Sequence, residues 1–428
     1  MVRLKTGMPQ LVGKMSWLLG AEIVSKLTRI VTVVALAYWL APEHFGDVAL
    51  VTVLFEVCRT LAQSGLGTRF IAADESKLNL FTWMTDYLSR LFSLGAVLLM
   101  IGLGFFISGV AERELVVLSA LTAPILLLYP LVTTRALFAQ RQNDARSLAG
   151  ANALTLCLEN LFVAIGLTLE FSVLALPFGK LMAAMGWVLF WIRREKPAIK
   201  RGDFKDLLAN AGFAGQIVSG DVLRLGRMHF DLLPALILLD PYNFGVYTFA
   251  KNAGVGLGQS LTQAFNTLLL PYLADRFRGG AIVNQLRRTT VSLMCVVGGI
   301  LVLQALGAFI YVPLLFGEKW AMATTVVAVL CLSALPRLYL DVTNIWLRAS
   351  HQSSIDLKFN LAVVVSYTIT LLLLVQIYVP NSPMMLATLT TVSLIIVSVL
   401  PPILSFHLPE KKYEPTTPSI GRHADVQR

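Results

Sequence analysis

The stretch MSWLLGAEIVSKLTRIVTVVALAYWLAPEHFG, residues 15–46, sets the reading of the whole chain. From Met15 to Leu40 only Glu22, Lys26 and Arg29 are charged, and about 20 mostly apolar residues suffice to cross a hydrocarbon core as a helix. The run is too long for the apolar core of a cleavable leader, so a first membrane span is expected here, with Arg3, Lys5 and Lys14 ahead of it. It closes at APEHFG (41–46), where Pro42 suits the first turn of a following helix.

Working outward, the same kind of run recurs. Twelve segments qualify as spans, at about 15–40, 45–68, 80–108, 114–134, 147–169, 171–192, 212–239, 244–271, 289–315, 321–345, 359–379 and 384–406. Composition agrees: 56% of the 428 residues are hydrophobic and 14% are charged, against about 25% charged in a soluble domain, and the mean hydropathy is +0.71. An all-α integral membrane protein of about twelve transmembrane helices is expected, in contact with membrane lipids.

The net charge of +10 follows from topology and does not call for nucleic acid as a partner. If the N-terminus is cytoplasmic, twenty-four Lys and Arg residues fall in loops or tails on that side, among them Arg135, Arg141, Arg193, Arg194, Arg287 and Lys358, and only Arg113 and Lys319 on the other. Positive charge marks the cytoplasmic face, so both termini are expected inside and the protein in a bacterial inner membrane. The basic run WIRREKPAIKRGDFKD (191–206) lies between the sixth and seventh spans and reads as a linker. The domains expected are a six-helix lobe over 1–192, a cytoplasmic linker over 193–211, a second six-helix lobe over 212–406 and a polar, disordered tail over 407–428.

The halves echo one another. Pro42-x-x-Phe45-Gly46 recurs as Pro241-x-x-Phe244-Gly245, 199 residues on; Lys26 and Arg29 recur as Arg224 and Arg227, 198 on; Arg59 and Gln63 recur as Gln259 and Gln263, 200 on. An even number of spans per repeat makes the repeats parallel, related about the membrane normal, with a central cavity between the two lobes.

Charges inside spans cost about 2.5–3.5 kcal/mol each on insertion scales and so demand a role. Glu22, Lys26 and Arg29 share one face of the first span, and Asp221, Arg224, Arg227 and Asp231 one arc of the seventh. The second span adds Glu56, Arg59 and Gln63; the eighth adds Asn252, Gln259, Gln263 and Asn266 along one face, with Lys251 beside it. These stripes are expected to line the cavity. Lys26, Arg29, Arg59, Arg224 and Arg227 form its cationic, substrate-binding part, since arginine grips phosphate in a bidentate fork. Gln63, Asn252, Gln259, Gln263 and Asn266 provide polar lining, and Glu22, Glu56, Asp221 and Asp231 are candidates for ion coupling. The bland alternative is that the acids and bases pair and merely tie helices together. Glu159 and Lys180 stand alone in their spans, Arg337 and Asp341 share one, and each fits either role.

Other chemistry has little support. Cys58, Cys157, Cys295 and Cys331 all lie in apolar runs without a CxxC pair, the five histidines are scattered, and no metal site or cofactor is expected. Gly254, Gly256 and Gly258 read as helix-packing residues, and no phosphate-binding GxxxxGK[ST] loop is present. With outside loops only a few residues long, no catalytic cluster of an enzyme is expected.

Four stretches carry a family resemblance: LAPEHFGDVALV (40–51), LAQSGLGTRFI (61–71), LLFGEKWAMA (314–323) and WLRASHQSSIDLKFN (346–360). They resemble the turn after helix one, the G-x-x-W opening of helix ten and the exit before helix eleven in the polysaccharide, O-antigen-type flippases of the multidrug/oligosaccharidyl-lipid/polysaccharide exporter superfamily. The resemblance implies a two-lobed bundle that carries an undecaprenyl-diphosphate-linked oligosaccharide across the membrane by alternating access, through a cationic cavity, for exopolysaccharide or O-antigen (lipopolysaccharide) synthesis. It further implies partnership with the polymerase and glycosyltransferases of the pathway. Within the superfamily the competing reading is an ion-coupled small-molecule or drug antiporter, whose often cationic cargo calls for an acidic cavity.

Overall fold

The computed structural model describes residues 24–25, 27–63, 70, 75–111, 115–142, 144–195, 223, 226, 228–278, 283–349 and 353–399. All elements assigned among them are helical, and helical residues fall in each of the twelve apolar segments. The protein is an all-α, multi-pass membrane protein. Among the described residues, six helices are individually long and apolar enough to cross a membrane: Leu78–Gly109, Arg146–Thr168, Ser172–Ile192, Gln285–Phe316, Ala323–Leu347 and Lys358–Tyr378. The pair Val116–Leu128 and Pro130–Arg141, bent by 50°, makes a seventh if it is one span. The bend coincides with a 3-10 stretch over Ala123–Leu128 and with Pro130, which has no N–H to continue the ladder.

The helices Pro42–Gln63 and Pro241–Arg278 fall short of that apolarity, and their position explains why. They pack on each other at the centre of the molecule, where a helix faces protein and a polar cavity instead of lipid. Large exposed apolar side chains are frequent on other helices, as with Leu98, Phe105, Phe106, Ile310 and Leu314.

Local sequence sets where the helices begin. Pro42, Pro130, Pro241 and Pro383 open four of them, each using a position whose N–H would lack a partner anyway. Ser382 and Asp144 cap two starts, their side chains accepting from the Met385 N–H at 3.3 Å and the Ser147 N–H at 3.1 Å. Gly317 ends the helix Val283–Phe316 with φ at +79°, a backbone conformation that favours glycine.

The two halves meet through their repeated motifs. A Cβ added at Gly245 would stand 1.8 Å from the Pro42 carbonyl oxygen, and one at Gly46 would stand 3.2 Å from the Gly245 Cα. Only glycine allows the backbones of the two PxxFG turns to come this close. Around the crossing, one continuous apolar core joins Phe45, Val48 and Phe55 of the first half to Phe244, Phe249, Val326 and Trp320 of the second.

Candidate substrate cavity

Beyond that crossing the halves separate, leaving a cavity of about 390 Å³. Phe45 forms part of its wall near the crossing, and the Pro42–Gln63 helix lines it as far as Arg59, a distance of about 21 Å along the axis at 1.5 Å per residue. The opposite wall comes from Met228, His229, Thr248, Lys251, Asn252, Gly256 and Arg337.

On the first-half wall four charges form one network. Lys180, 1% exposed, donates to Glu159 Oε1 at 2.7 Å and to Glu56 Oε1 at 3.1 Å. Glu56 also accepts from Arg59 Nη2 through its other oxygen, at 2.5 Å. Aromatic faces support both cations: Lys180 lies 4.8 Å from the Phe55 ring centre and Arg59 5.9 Å from that of Tyr129. Each carboxylate is thereby matched, as burial requires.

The second-half wall has its own pair. The seventh segment is interrupted at Phe230–Asp231. Lys251 Nζ donates to the Met228 carbonyl at 3.0 Å and to Asp231 Oδ1 at 2.6 Å. The other Asp231 oxygen accepts from the Tyr247 hydroxyl at 2.7 Å, and Thr390 stands 3.4 Å from that hydroxyl. Arg337 differs. Its Nε and Nη2 atoms are buried with no hydrogen-bond partner among the described residues, and His229 Nδ1 is in the same condition.

Among the described residues the cavity therefore carries Arg29, Arg59, Lys180, Lys251 and Arg337 against Glu56, Glu159 and, behind Lys251, Asp231, an excess of two positive charges. Arg29 and Arg337, one from each half, are the cations with no carboxylate at ion-pair distance among the described residues. Arg29 is exposed and reaches across to Gly256, its Nη2 3.5 Å from where a Cβ there would stand.

The sequence model of the polysaccharide biosynthesis protein family matches residues 35–325, well over half of the chain and most of the cavity wall. The chain belongs to that family. No curated protein matches it by sequence. Its fold is similar to that of the lipid II flippase MurJ in an inward closed conformation, with a TM-score of 0.72, 13% identity, and 92% of this chain and 88% of that one covered. An inward-facing multidrug-resistance MATE transporter of the MOP superfamily gives a TM-score of 0.62 at 13% identity over 90% and 94%. A MOP superfamily transporter from Pyrococcus furiosus, described as having a binding pocket of reverse polarity, gives 0.55 at 13% over 92% and 93%. This polysaccharide biosynthesis protein thus has the two-lobed fold of MOP-superfamily flippases and transporters.

Of the residues picked out from sequence, Arg29, Glu56, Arg59 and Asn252 line the cavity, and Asp231 is buried behind Lys251. Gln63 is exposed and outside the lining, because it sits at the last turn of its helix. Glu22, Lys26, Asp221, Arg224 and Arg227 lie outside the described residues, as do the side chains of Gln259, Gln263 and Asn266, whose backbone is helical, and most of the 193–211 linker and all of the 407–428 tail. Lys180, Glu159 and Arg337 join the wall from helices to which no polar stripe was assigned, and His229 from the seventh segment, whose charged arc does not include it. Their only signal in sequence is polarity within an apolar run.

Proposed function

We propose that this protein is a flippase that moves an undecaprenyl-diphosphate-linked oligosaccharide from the cytoplasmic to the periplasmic leaflet of a bacterial inner membrane by alternating access, in exopolysaccharide or O-antigen synthesis. The observation that carries the reading is the inter-lobe cavity, which among the described residues has an excess of two positive charges and two arginines, Arg29 and Arg337, with no carboxylate at ion-pair distance. A diphosphate cannot cross hydrocarbon bare, because the loss of hydration is prohibitive. Guanidinium groups fixed in a polar cleft replace that hydration and grip phosphate oxygens in pairs. Membership of the polysaccharide biosynthesis family and the likeness to a lipid II flippase support the same class of cargo.

In this reading Arg29, Arg59 and Arg337, with Lys26, Arg224 and Arg227, hold the diphosphate. Asn252, Gln259, Gln263 and Asn266 face the sugars, and Glu22, Glu56, Asp221 or Asp231 couple the cycle to an ion. The lobes are 1–192 and 212–406, joined by the cytoplasmic linker 193–211. A drug antiporter of this fold is disfavoured by charge, since a cationic cargo meets a cavity of its own sign. The test is surface-glycan export in a strain dependent on this protein, comparing Arg29→Ala, Arg337→Ala and the double variant at matched membrane levels. Each single variant lowers export and the double abolishes it; normal export by the double variant rules the assignment out.

A further inference from the structure

The crossing end of the molecule holds a second set of contacts between the halves, and they are polar as well as apolar. The helix Leu27–Trp39 ends at the crossing, and the last four carbonyls of any helix lack partners within it. Two carbonyls at this end are taken by the other half. Trp320 donates its indole N–H to the Ala37 oxygen at 2.9 Å. The Lys319 ammonium donates to the Ala37 oxygen at 3.4 Å and also to that of Leu40, bringing a positive charge to the negative end of the helix dipole. Glu43, at the start of the next helix, attracts the same ammonium.

Both donors come from one short turn, Glu318–Trp320, which hangs on Gly317 in its positive-φ conformation. Trp320, 1% exposed, stacks on Phe249 with ring centres 4.0 Å apart, and Phe45 of the first half stands 5.4 Å from Trp320 and 5.6 Å from Phe249. The cavity ion pairs at Glu56, Lys180, Glu159, Asp231 and Lys251 behave differently: each stays within its own half. They brace two separate bodies, whereas the 317–320 turn ties one body to the other. Its bonds end on carbonyls at a helix terminus, which water can take over once the halves part.

We propose that the Gly317–Trp320 turn is a latch: by capping the end of the first helix from the opposite half it holds this end of the cavity shut, and its release opens the cavity to this face. The proposal concerns how the halves move and stands whatever the cargo is. It is tested with Thr52→Cys, a cavity-lining reporter, in a protein whose four native cysteines are serine, labelled by a membrane-impermeant maleimide in right-side-out and inverted vesicles. The pair Lys319→Met and Trp320→Phe removes the donors but keeps the bulk and the aromatic face. It raises labelling from the latch face by about tenfold or more, since three hydrogen bonds are lost, and does not raise it from the other face. Unchanged labelling, or an equal rise from both faces, overturns the latch. A second arm does not depend on that variant folding: Leu40→Cys with Lys319→Cys, joined by a short reducible bis-methanethiosulfonate spacer, suppresses latch-face labelling until reductant is added. Labelling that persists with the spacer in place refutes the proposal.

Discussion

Replacing Gly245 by alanine puts the largest local strain on the inter-lobe crossing for the smallest chemical change. The new Cβ would stand 1.8 Å from the Pro42 oxygen and 2.3 Å from the Pro42 carbonyl carbon. A carbon and an oxygen in ordinary contact sit no closer than about 3.3 Å, so the two helices must part by about 1.5 Å at this point. Both opposing atoms are main chain, and no rotamer relieves the clash. Overpacking costs about 1–3 kcal/mol, and with no side chain able to yield the upper end applies. About 3 kcal/mol is roughly a hundredfold shift away from the closed crossing. Two companions calibrate the effect. A Cβ at Gly46 meets the Phe244 ring at 2.8 Å but the Gly245 main chain no closer than 3.2 Å, and one at Gly102 meets nothing within 4 Å. Thermal unfolding in detergent, together with labelling of the Thr52→Cys reporter from the crossing face, ranks the three: Gly102→Ala is neutral, Gly46→Ala intermediate and Gly245→Ala largest. If Gly245→Ala matches Gly102→Ala in both assays, the crossing is not the rigid contact described here.

Three further outcomes follow from the geometry. Lys180→Met leaves Glu56 and Glu159 without their shared ammonium and lowers stability by about 3–5 kcal/mol, measured by thermal unfolding; adding Glu56→Gln and Glu159→Gln restores most of it. Asp144→Ala removes the cap of helix Ala145–Thr168, at a cost of about 1 kcal/mol. Hydrogen bonds from the Ser147 side chain and backbone hold the Asp144 carboxyl below its usual pKa, so this contribution is present at neutral pH and fades as pH falls through that lowered value; the gap in melting temperature between wild type and Asp144→Ala closes in acid. A cysteine at position 200, in the linker, reacts with impermeant reagents in inverted vesicles and not in right-side-out ones, and the reverse pattern refutes the proposed orientation.

The spans could be read because each is a long apolar run, a one-dimensional signal. The repeat was legible because the PxxFG motif occurs twice; that its two copies touch, backbone against backbone, appears only in the structure. The cavity wall was legible where one helix bears several polar groups, as with Glu56 and Arg59. It was not legible where a wall charge stands alone on its helix. Lys180 is 124 residues from Glu56, and no local pattern announces that they bond. Nor does any local pattern announce the orphaned nitrogens of Arg337, which are a property of its surroundings. Six apolar spans by length and composition, or seven with the bent pair, against twelve segments read from sequence reflect the polarity of the central helices as well as the stretches outside the described residues. The helices nearest the cavity are the least like ordinary membrane spans.

The most direct test of the account is flipping by the purified protein. Reconstituted in vesicles with a fluorescent undecaprenyl-diphosphate oligosaccharide, the wild-type protein makes the lipid in the inner leaflet accessible to an impermeant quencher outside. A variant carrying both Arg29→Ala and Arg337→Ala, reconstituted at the same density and with an unchanged melting temperature, falls to the rate of protein-free vesicles. Flipping at the wild-type rate by that variant, or the absence of flipping by the wild-type protein with any diphosphate-linked glycan lipid, contradicts the account.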